Sequence, residues 1–216
     1  MASPLTVWST TADGYVNGNN NVSYSQARST ANTAVSNQYS VQVGQVYAGG
    51  YWNCIEGFVS FDTSSVGAGS TVTVATLSLY AKEDSTLTDF TYEARIKDWG
   101  ASLTTADWAS GDPNDAGSLD EYTLVASRST TPGWSTAAYS ALTSGAAFLS
   151  NVAQTGTTYL ILDSSRHLAG NEVVTYEELD VWASEDGAGT DRDPKLYVEW
   201  TEGAGFVGMT VRRPVG

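Results

Sequence analysis

Residues 55–80 constrain the fold more than any other part of the chain, because they contain two stretches in which apolar and polar side chains alternate. Val59 and Phe61 alternate with small or polar neighbours in the first stretch, and Leu77 and Leu79 do so in the second. Alternation with a period of two buries one face of a strand and leaves the other in water. The residues between the stretches are rich in Asp, Thr, Ser and Gly, which are typical of turns. The segment therefore predicts two strands joined by a short polar connection.

The composition favours an all-β fold in a single domain. Of the 216 residues, 41% are hydrophobic and 21 are Gly, and Thr, Ser, Val and Tyr are abundant. This mixture is typical of strands joined by turns. Between residues 139 and 152, apolar residues recur at helical spacing at Leu142, Ala146, Leu149 and Val152. We therefore predict an antiparallel two-sheet β-sandwich with one short helix.

The chain changes character after Trp200. A Gly-containing spacer at residues 202–205 precedes a second alternating stretch that ends in two Arg residues. We expect residues 1–202 to form the sandwich and residues 203–216 to be an extension strand that adds to the sheet edge of a neighbour. The alternatives are a last strand packed on its own domain and a frayed tail. The residues expected in the assembly contact are Phe206, Val207, Met209, Val211, Arg212 and Arg213.

Several short motifs follow one another in order between Thr11 and Thr201. They are Thr-Ala-Asp-Gly-Tyr-Val at 11–16, Val-Gln-Val-Gly at 41–44, the Phe-Asp and Ala-Thr-Leu-Ser-Leu-Tyr pair of the segment above, Trp99 and Trp108, Gly133-Trp134, Thr-Thr-Tyr-Leu-Ile-Leu at 157–162, and Asp-Pro-Lys-Leu-Tyr-Val-Glu-Trp at 193–200. This series resembles the DNRLRE-type domain, which is allied to a group of jelly-roll carbohydrate-binding modules of bacterial surface proteins. The resemblance implies a jelly-roll sandwich. It implies no single activity, because members serve as binding, stalk and envelope modules.

The charge and the termini exclude several classes of partner. A net charge of −14 argues against nucleic-acid binding, which requires a basic surface. No stretch reaches the length needed to cross a membrane, and the start of the chain has neither the basic nor the apolar part of a secretory signal. The single cysteine, Cys54, cannot form an internal disulfide, and its place in a predicted strand indicates a buried side chain.

The sequence offers little for catalysis. His167 is the only histidine, and the composition around it predicts an exposed loop. Asp163 and Ser164 or Ser165 lie close by, but without the strand-turn-helix context of an activated serine. One His and one Cys also fall short of the usual ligand set of a zinc site. We therefore expect a protein that is not an enzyme.

Carboxylates are numerous enough that glycoside hydrolysis needs separate consideration. Glu178 and Asp180 share one face of a predicted strand, and Glu177 lies on the other face with Leu179 and Val181. A glycosidase requires two acids at a defined separation across a cleft. The alternative, which we favour, is a solvated sheet face.

Two acidic loops carry the oxygen donors that calcium prefers. Both contain Gly residues for tight turns, and neither has the regular spacing of an EF-hand loop. The alternative is a pair of solvated acidic loops, and we expect no cofactor other than this structural calcium. The candidate ligands are Asp112, Asp115, Glu185, Asp186, Asp191 and Asp193.

Carbohydrate binding requires exposed aromatic rings on which sugar rings stack. Tyr47, Tyr51 and Trp52 flank a Gly-Gly turn at a predicted hairpin tip and are the candidates. Three other tryptophans lie in strand-like alternation and are expected in the core, namely Trp8, Trp182 and Trp200.

Three classes of function follow from these observations. The first is a structural protein of a virion, such as a bacteriophage head-decoration, tail or fibre component. The second is a carbohydrate-binding module of a bacterial surface or secreted protein. The third is a glycosidase or lyase, which only the surplus of carboxylates supports. We favour the first, with copies of the chain, other structural proteins and a glycan as expected partners.

Overall fold

The alternating stretches form strands, and the two strands of residues 55–80 belong to different sheets. The computed structural model describes residues 2–36, 39–184 and 191–203. The strands are β1 (Ala2–Trp8), β2 (Gly14–Asn20), β3 (Thr33–Ser36), β4 (Ser40–Ala48), β5 (Tyr51–Asp62), β6 (Thr71–Leu79), β7 (Ala81–Thr86), β8 (Thr91–Ile96), β9 (Leu124–Ser129), β10 (Ser140–Ala141), β11 (Thr143–Ser144), β12 (Thr157–Ser164), β13 (Tyr176–Trp182) and β14 (Lys195–Thr201). The helices are α1 (Tyr24–Ser29), α2 (Ala146–Asn151) and α3 (Ser165–Leu168).

The strands pair into two antiparallel sheets, which confirms the predicted all-β sandwich. The smaller sheet has the order β1-β14-β6-β10. The larger sheet runs β11-β9-β8-β12-β5-β4-β13-β7, with β2 paired to β5 and β3 paired to β2. Both sheets contribute fully buried side chains to the main core, among them Phe61 and Leu160 from the larger sheet and Leu77 and Val198 from the smaller one.

Strand β5 exchanges one partner for another in its middle. One of its edges pairs with β2 from Trp52 to Phe58. The opposite edge pairs with β4 up to Ile55 and with β12 from Gly57 onward. Glu56 therefore lies where β4 and β12 diverge, and its side chain is fully buried there.

Glycine makes this divergence possible. Gly44 of β4, opposite Ile55, has a φ of 133°, which side-chain-bearing residues rarely adopt. A Cβ on Gly57 would lie 2.5 Å from Val41 and 2.9 Å from Val43, so β4 crosses directly over the bare backbone of β5.

The predicted helix between residues 139 and 152 is shorter than expected. Helix α2 covers Ala146–Asn151 and buries Phe148, whereas Leu142 lies between β10 and β11. The Leu142 N–H donates to the carbonyl of Leu77 at 2.9 Å, so the chain is extended along β6 at this point. Leu142 is buried, as its apolar character suggested, but through a strand rather than a helix.

Two further helices and one tryptophan differ from the prediction. Helices α1 and α3 have six and four residues, which is too short for a periodic apolar pattern to reveal them. Trp8 was expected in the core but is 40% exposed, because β1 forms the edge of the smaller sheet. Trp200 is buried as predicted, and Trp182 is half-buried with Lys82 and Arg192 against its ring. No helix in the described residues is long and apolar enough to span a membrane.

Candidate functional site

The predicted hairpin tip forms, and it separates the three aromatic candidates. Gly49 and Gly50 have positive φ angles of 60° and 83° and make the two-residue turn between β4 and β5. Tyr47 pairs with Trp52 across the hairpin, and their rings lie 4.9 Å apart. Tyr51 pairs with Ala48 and points to the opposite face, because side chains alternate along a strand. The structure thus brings together two of the three residues.

Exposed apolar side chains gather at this end of the larger sheet. The Tyr47 N–H donates to the carbonyl of Thr175, next to Tyr176, and the Leu87 N–H donates to the carbonyl of Tyr176. The exposed fractions of Leu87 and Val174 both reach 73%. We call this surface the apolar end; it consists of Tyr51, Leu87, Val174 and Tyr176. A cluster of exposed apolar side chains of this kind marks an interaction site.

A groove of about 200 Å³ adjoins the apolar end on the outer face of β4, β13 and β7. Asp180 lies between Gln42 and Glu83, and Glu178 lies between Gly44 and Ser85. The absence of a side chain at Gly44 lets the β13 backbone approach closely, since a Cβ there would lie 1.9 Å from the carbonyl oxygen of Glu177. We call this surface the acidic groove; it is lined by Gln42, Glu83, Ser85, Tyr176, Glu178 and Asp180.

Two carboxyl groups of the acidic groove lie close enough to affect each other's ionisation. Glu178 and Asp180 lie on one face, as the alternation predicted, and Gln42 donates to Asp180 at 3.3 Å. Burial, together with the Asp180 carboxylate, raises the pKa of Glu178 to about 8. Burial also raises the pKa of Asp180. A carboxyl group that keeps its proton near neutral pH can donate to a ligand oxygen while its partner accepts.

Glu177 lies on the opposite face of β13, as the alternation predicted, and is buried there. Its Oε2 accepts from Arg166 Nε at 2.8 Å and from Gln45 Nε2 at 3.0 Å. Gln45 in turn accepts from the Tyr24 hydroxyl of α1. This network belongs to a larger set of buried polar groups around Glu56.

The centre of that set is a cluster of three side chains from different elements. Glu56 comes from β5, Asp163 from the end of β12 and His167 from α3, and each side chain is at most 1% exposed. His167 Nδ1 lies 3.0 Å from Asp163 Oδ1 and 3.8 Å from Glu56 Oε1. Among the described residues, these three are the only group whose potential metal-ligating atoms converge.

Burial and charge act in opposite directions within the buried cluster. Burial raises the pKa of Glu56 well above its usual range. Burial alone would lower the pKa of His167, but the Asp163 carboxylate and Cys54 outweigh it, and the net effect is a pKa well above the usual range. The backbone N–H of Ala109 donates to Glu56 Oε2 at 3.0 Å.

The prediction that His167 lies in an exposed loop is wrong. The residue lies in α3, whose N-terminus is capped by the Ser164 hydroxyl, and its side chain is fully buried. The Trp108 ring lies 5.4 Å from the imidazole, and a Cβ on Gly111 would overlap it. The Ser165 hydroxyl accepts from the Thr91 N–H at 3.0 Å. The His167–Asp163 pair therefore has neither a free serine nor an open path to a substrate.

The acidic loops do not form a ligand cluster in the described residues. Asp112 Oδ1 accepts from the backbone and the side chain of Asn114 at 3.0 and 2.8 Å, and these bonds lower the pKa of Asp112. Asp115 Oδ2 accepts from Ser110 at 2.6 Å. In the second loop Asp191 is exposed and Asp193 is buried. Two of the candidate calcium ligands, Glu185 and Asp186, lie outside the described residues, as do all six residues of the predicted assembly contact at 206–213.

Comparison with known proteins assigns the chain to no family. No protein-family model matches the chain, and no curated protein matches it in sequence. The resemblance to DNRLRE-type domains therefore stays a prediction.

Sequence reasoning missed Leu87, Val174 and Tyr176 as members of an exposed surface and Glu56 as a buried acid. Glu56 had a signal, since it is a charged residue inside the apolar run from Cys54 to Phe58.

The protonation of Glu178 predicts a pH-dependent stability. In the unfolded chain Glu178 ionises near 4.5, whereas in the folded chain it holds its proton to about 8. Between these values the folded state binds more protons, so the free energy of unfolding falls as the pH rises. The Glu178→Gln variant should therefore melt above the wild type at pH 8.5 and show a much smaller difference at pH 4.

The raised pKa of Glu178 sets the expected difference in melting temperature. Each pKa unit is worth ~1.4 kcal/mol, and 1 kcal/mol moves the melting temperature of a domain this large by about 2–4 °C. The control is Glu172→Gln, which removes an exposed carboxylate. Identical melting temperatures for Glu178→Gln and wild type at both pH values would contradict the assigned protonation.

Proposed function

We propose that this protein is a non-catalytic structural and interaction module at the surface of a virus particle, such as a head-decoration, tail or fibre component. The observation that carries the proposal is the apolar end, where exposed aromatic and aliphatic side chains gather at one end of the larger sheet. A monomer that acted alone in solution would have no need of such a surface.

The chemistry of the described residues supports a non-catalytic role. The one histidine is buried, and the nearby serine hydroxyls already accept backbone bonds. Glu178 and Asp180 are neighbours on one face of a single strand, whereas the two acids of a glycosidase stand across a cleft, about 5–9.5 Å apart, with the substrate between them. The surplus of carboxylates therefore does not by itself support hydrolysis.

Edge pairing and charge complementarity support self-association through the C-terminal segment. Strand β7 ends the larger sheet, and in the described residues its outer edge pairs with no strand. The apolar end and the acidic groove both adjoin β7. The segment from Phe206 to Arg213 alternates apolar residues and ends in two cations. We propose that this segment of one copy adds to β7 of a neighbouring copy, with the arginines near Glu83, Glu178 and Asp180.

The native mass of the protein in solution tests this assembly. We expect the full-length chain to form a defined oligomer by light scattering, and a version ending at Glu202 to be monomeric. Leu87→Glu should also give monomers, because it places a negative charge in the apolar end. The exposed position of Leu87 keeps the core intact.

The control for this experiment is Leu124→Glu, which changes an exposed leucine on β9, near the other end of the larger sheet. It should leave the oligomer unchanged. Monomers for the full-length chain, or an oligomer that survives both the truncation and Leu87→Glu, would overturn the proposed contact.

Glycan binding is the second candidate function, and the composition of the acidic groove favours it. Tyr176 lines the groove, and the register places Tyr51 on the same face. Carboxyl, amide and hydroxyl groups beside an aromatic ring are the partners that a sugar requires. A virion surface module that binds host glycans would combine both functions.

The glycan hypothesis predicts the effect of removing single rings. On a glycan for which array screening shows binding, Tyr176→Ala should weaken the affinity about tenfold, the equivalent of ~1.4 kcal/mol. The matched control is Tyr39→Ala, which removes a 63% exposed tyrosine at the far end of β4. If Tyr176→Ala and Tyr39→Ala bind alike, the groove is not the sugar site; if no glycan binds, the second function is wrong.

A further inference from the structure

The buried cluster of Glu56, Asp163 and His167 has an arrangement that the proposed surface function does not explain. Two carboxyl groups and one imidazole meet in a space closed by α1, α3 and the Trp108–Gly111 loop. Charged groups without partners are expensive to bury, and hydrophobic residues would fill such a space at lower cost. The cluster therefore calls for a compensating group.

Two carboxylate oxygens in the cluster lack hydrogen-bond partners. Glu56 Oε2 accepts from Ala109, but Glu56 Oε1 and Asp163 Oδ2 have no partner among the described residues. Both side chains are at least nine-tenths buried. Buried polar atoms are almost always paired, so two orphaned oxygens beside one imidazole indicate a missing partner.

The imidazole shows which of its nitrogens faces that partner. His167 Nε2 lies 3.3 Å from the carbonyl of Arg28, which only accepts, so Nε2 carries the hydrogen. Nδ1 then faces the oxygens of both Asp163 and Glu56. A lone pair on Nδ1 would repel the two carboxyl groups, so a positive centre is required at this position, either a proton on Nδ1 or a bound cation. A metal-bound histidine commonly donates its other N–H to a backbone carbonyl, as His167 does here.

The spacing of the donor atoms fits a small divalent cation. Zinc–ligand distances of ~2.0–2.1 Å at tetrahedral angles place neighbouring donor atoms about 3.3 Å apart. The distances of 3.0 and 3.8 Å from Nδ1 to the two oxygens bracket this value. Cys54, two residues before Glu56 on β5, is fully buried in the apolar cluster against which Trp108 packs, and its sulfur lies outside the converging group of three.

We propose that Glu56, Asp163 and His167 bind a zinc ion beneath α1 and α3 and are its three protein ligands. Imidazole nitrogen and carboxylate oxygen are donors that zinc binds, and a set this small does not suit calcium, which takes six to eight oxygens. The ion would tie together β5, β12 and α3. Its role is structural, because the cluster has no opening to the surface among the described residues.

Zinc content and thermal stability test the proposal on the full-length chain. The protein is purified without chelator and, separately, unfolded and refolded with zinc or with a chelator. We expect one zinc per chain by mass spectrometry of the metal, and a melting temperature several degrees higher for the zinc form. Glu56→Gln keeps the size of the side chain and should weaken zinc binding by at least ~100-fold.

Two further variants keep the result decisive. Glu178→Gln changes an acid of the other cluster and should bind zinc like the wild type. If Glu56→Gln does not fold, cobalt replaces zinc in the wild type and in Cys54→Ala, which changes a buried residue outside the three ligands. Equal cobalt bands in both proteins, without a thiolate charge-transfer band, support the site of Glu56, Asp163 and His167, and bands that Cys54→Ala removes contradict this ligand set.

The opposite results overturn the proposal. A wild type that refolds with zinc yet holds none, melts at the same temperature with zinc and with chelator, and gives no cobalt bands has no metal in the cluster. In that case the imidazole of His167 carries a proton on Nδ1 and pairs with the Asp163 carboxylate, and no metal is involved.

Discussion

The structure depends on the way in which β5 changes its partner at Glu56. A strand has two edges, and β2 occupies one of them along residues 52–58. Because β4 and β12 share the other edge, they must separate where one replaces the other. The separation is permitted by Gly44 and Gly57, and it opens the space in which the buried cluster lies. The fold thus places Glu56 inside the buried stretch of β5 that runs from Cys54 to Phe61.

The two unusual regions of the molecule lie at different depths on neighbouring strands of the larger sheet. The buried cluster joins β5, β12 and α3, whereas the acidic groove and the apolar end lie on the surface of β4, β13 and β7. Strand β13 borders both regions, since Glu177 bonds to Gln45 in the buried network and Glu178 faces outward. Rigidity around the buried cluster would hold the outer surface in a fixed shape, which suits a module that works by contact.

The sequence predicted the elements whose signal is local. Alternation revealed β5, β6, β13 and β14, and the Gly-Gly pair revealed the hairpin tip, because strands and tight turns leave their pattern within a few residues. It did not reveal α3, since four residues are too few for a helical period, and the polar stretch around His167 has the composition of a loop. The burial of His167 comes from Arg28, Trp108 and Gly111, which are distant in sequence. The same holds for Leu87, whose place beside Tyr176 follows only from strand pairing.

Hydrogen exchange of the β7 backbone tests the central claim, that copies of this module associate through β7 and the C-terminal segment. The measurement compares the amides of Ala81–Thr86 in the full-length chain and in the version ending at Glu202. We expect these amides to be protected in the full-length protein and to exchange faster after truncation. The exchange rates of the β6 amides, in the smaller sheet, should be the same in both proteins. Equal exchange of β7 in both proteins, or protection that moves to the free edge of β1 instead, would contradict it.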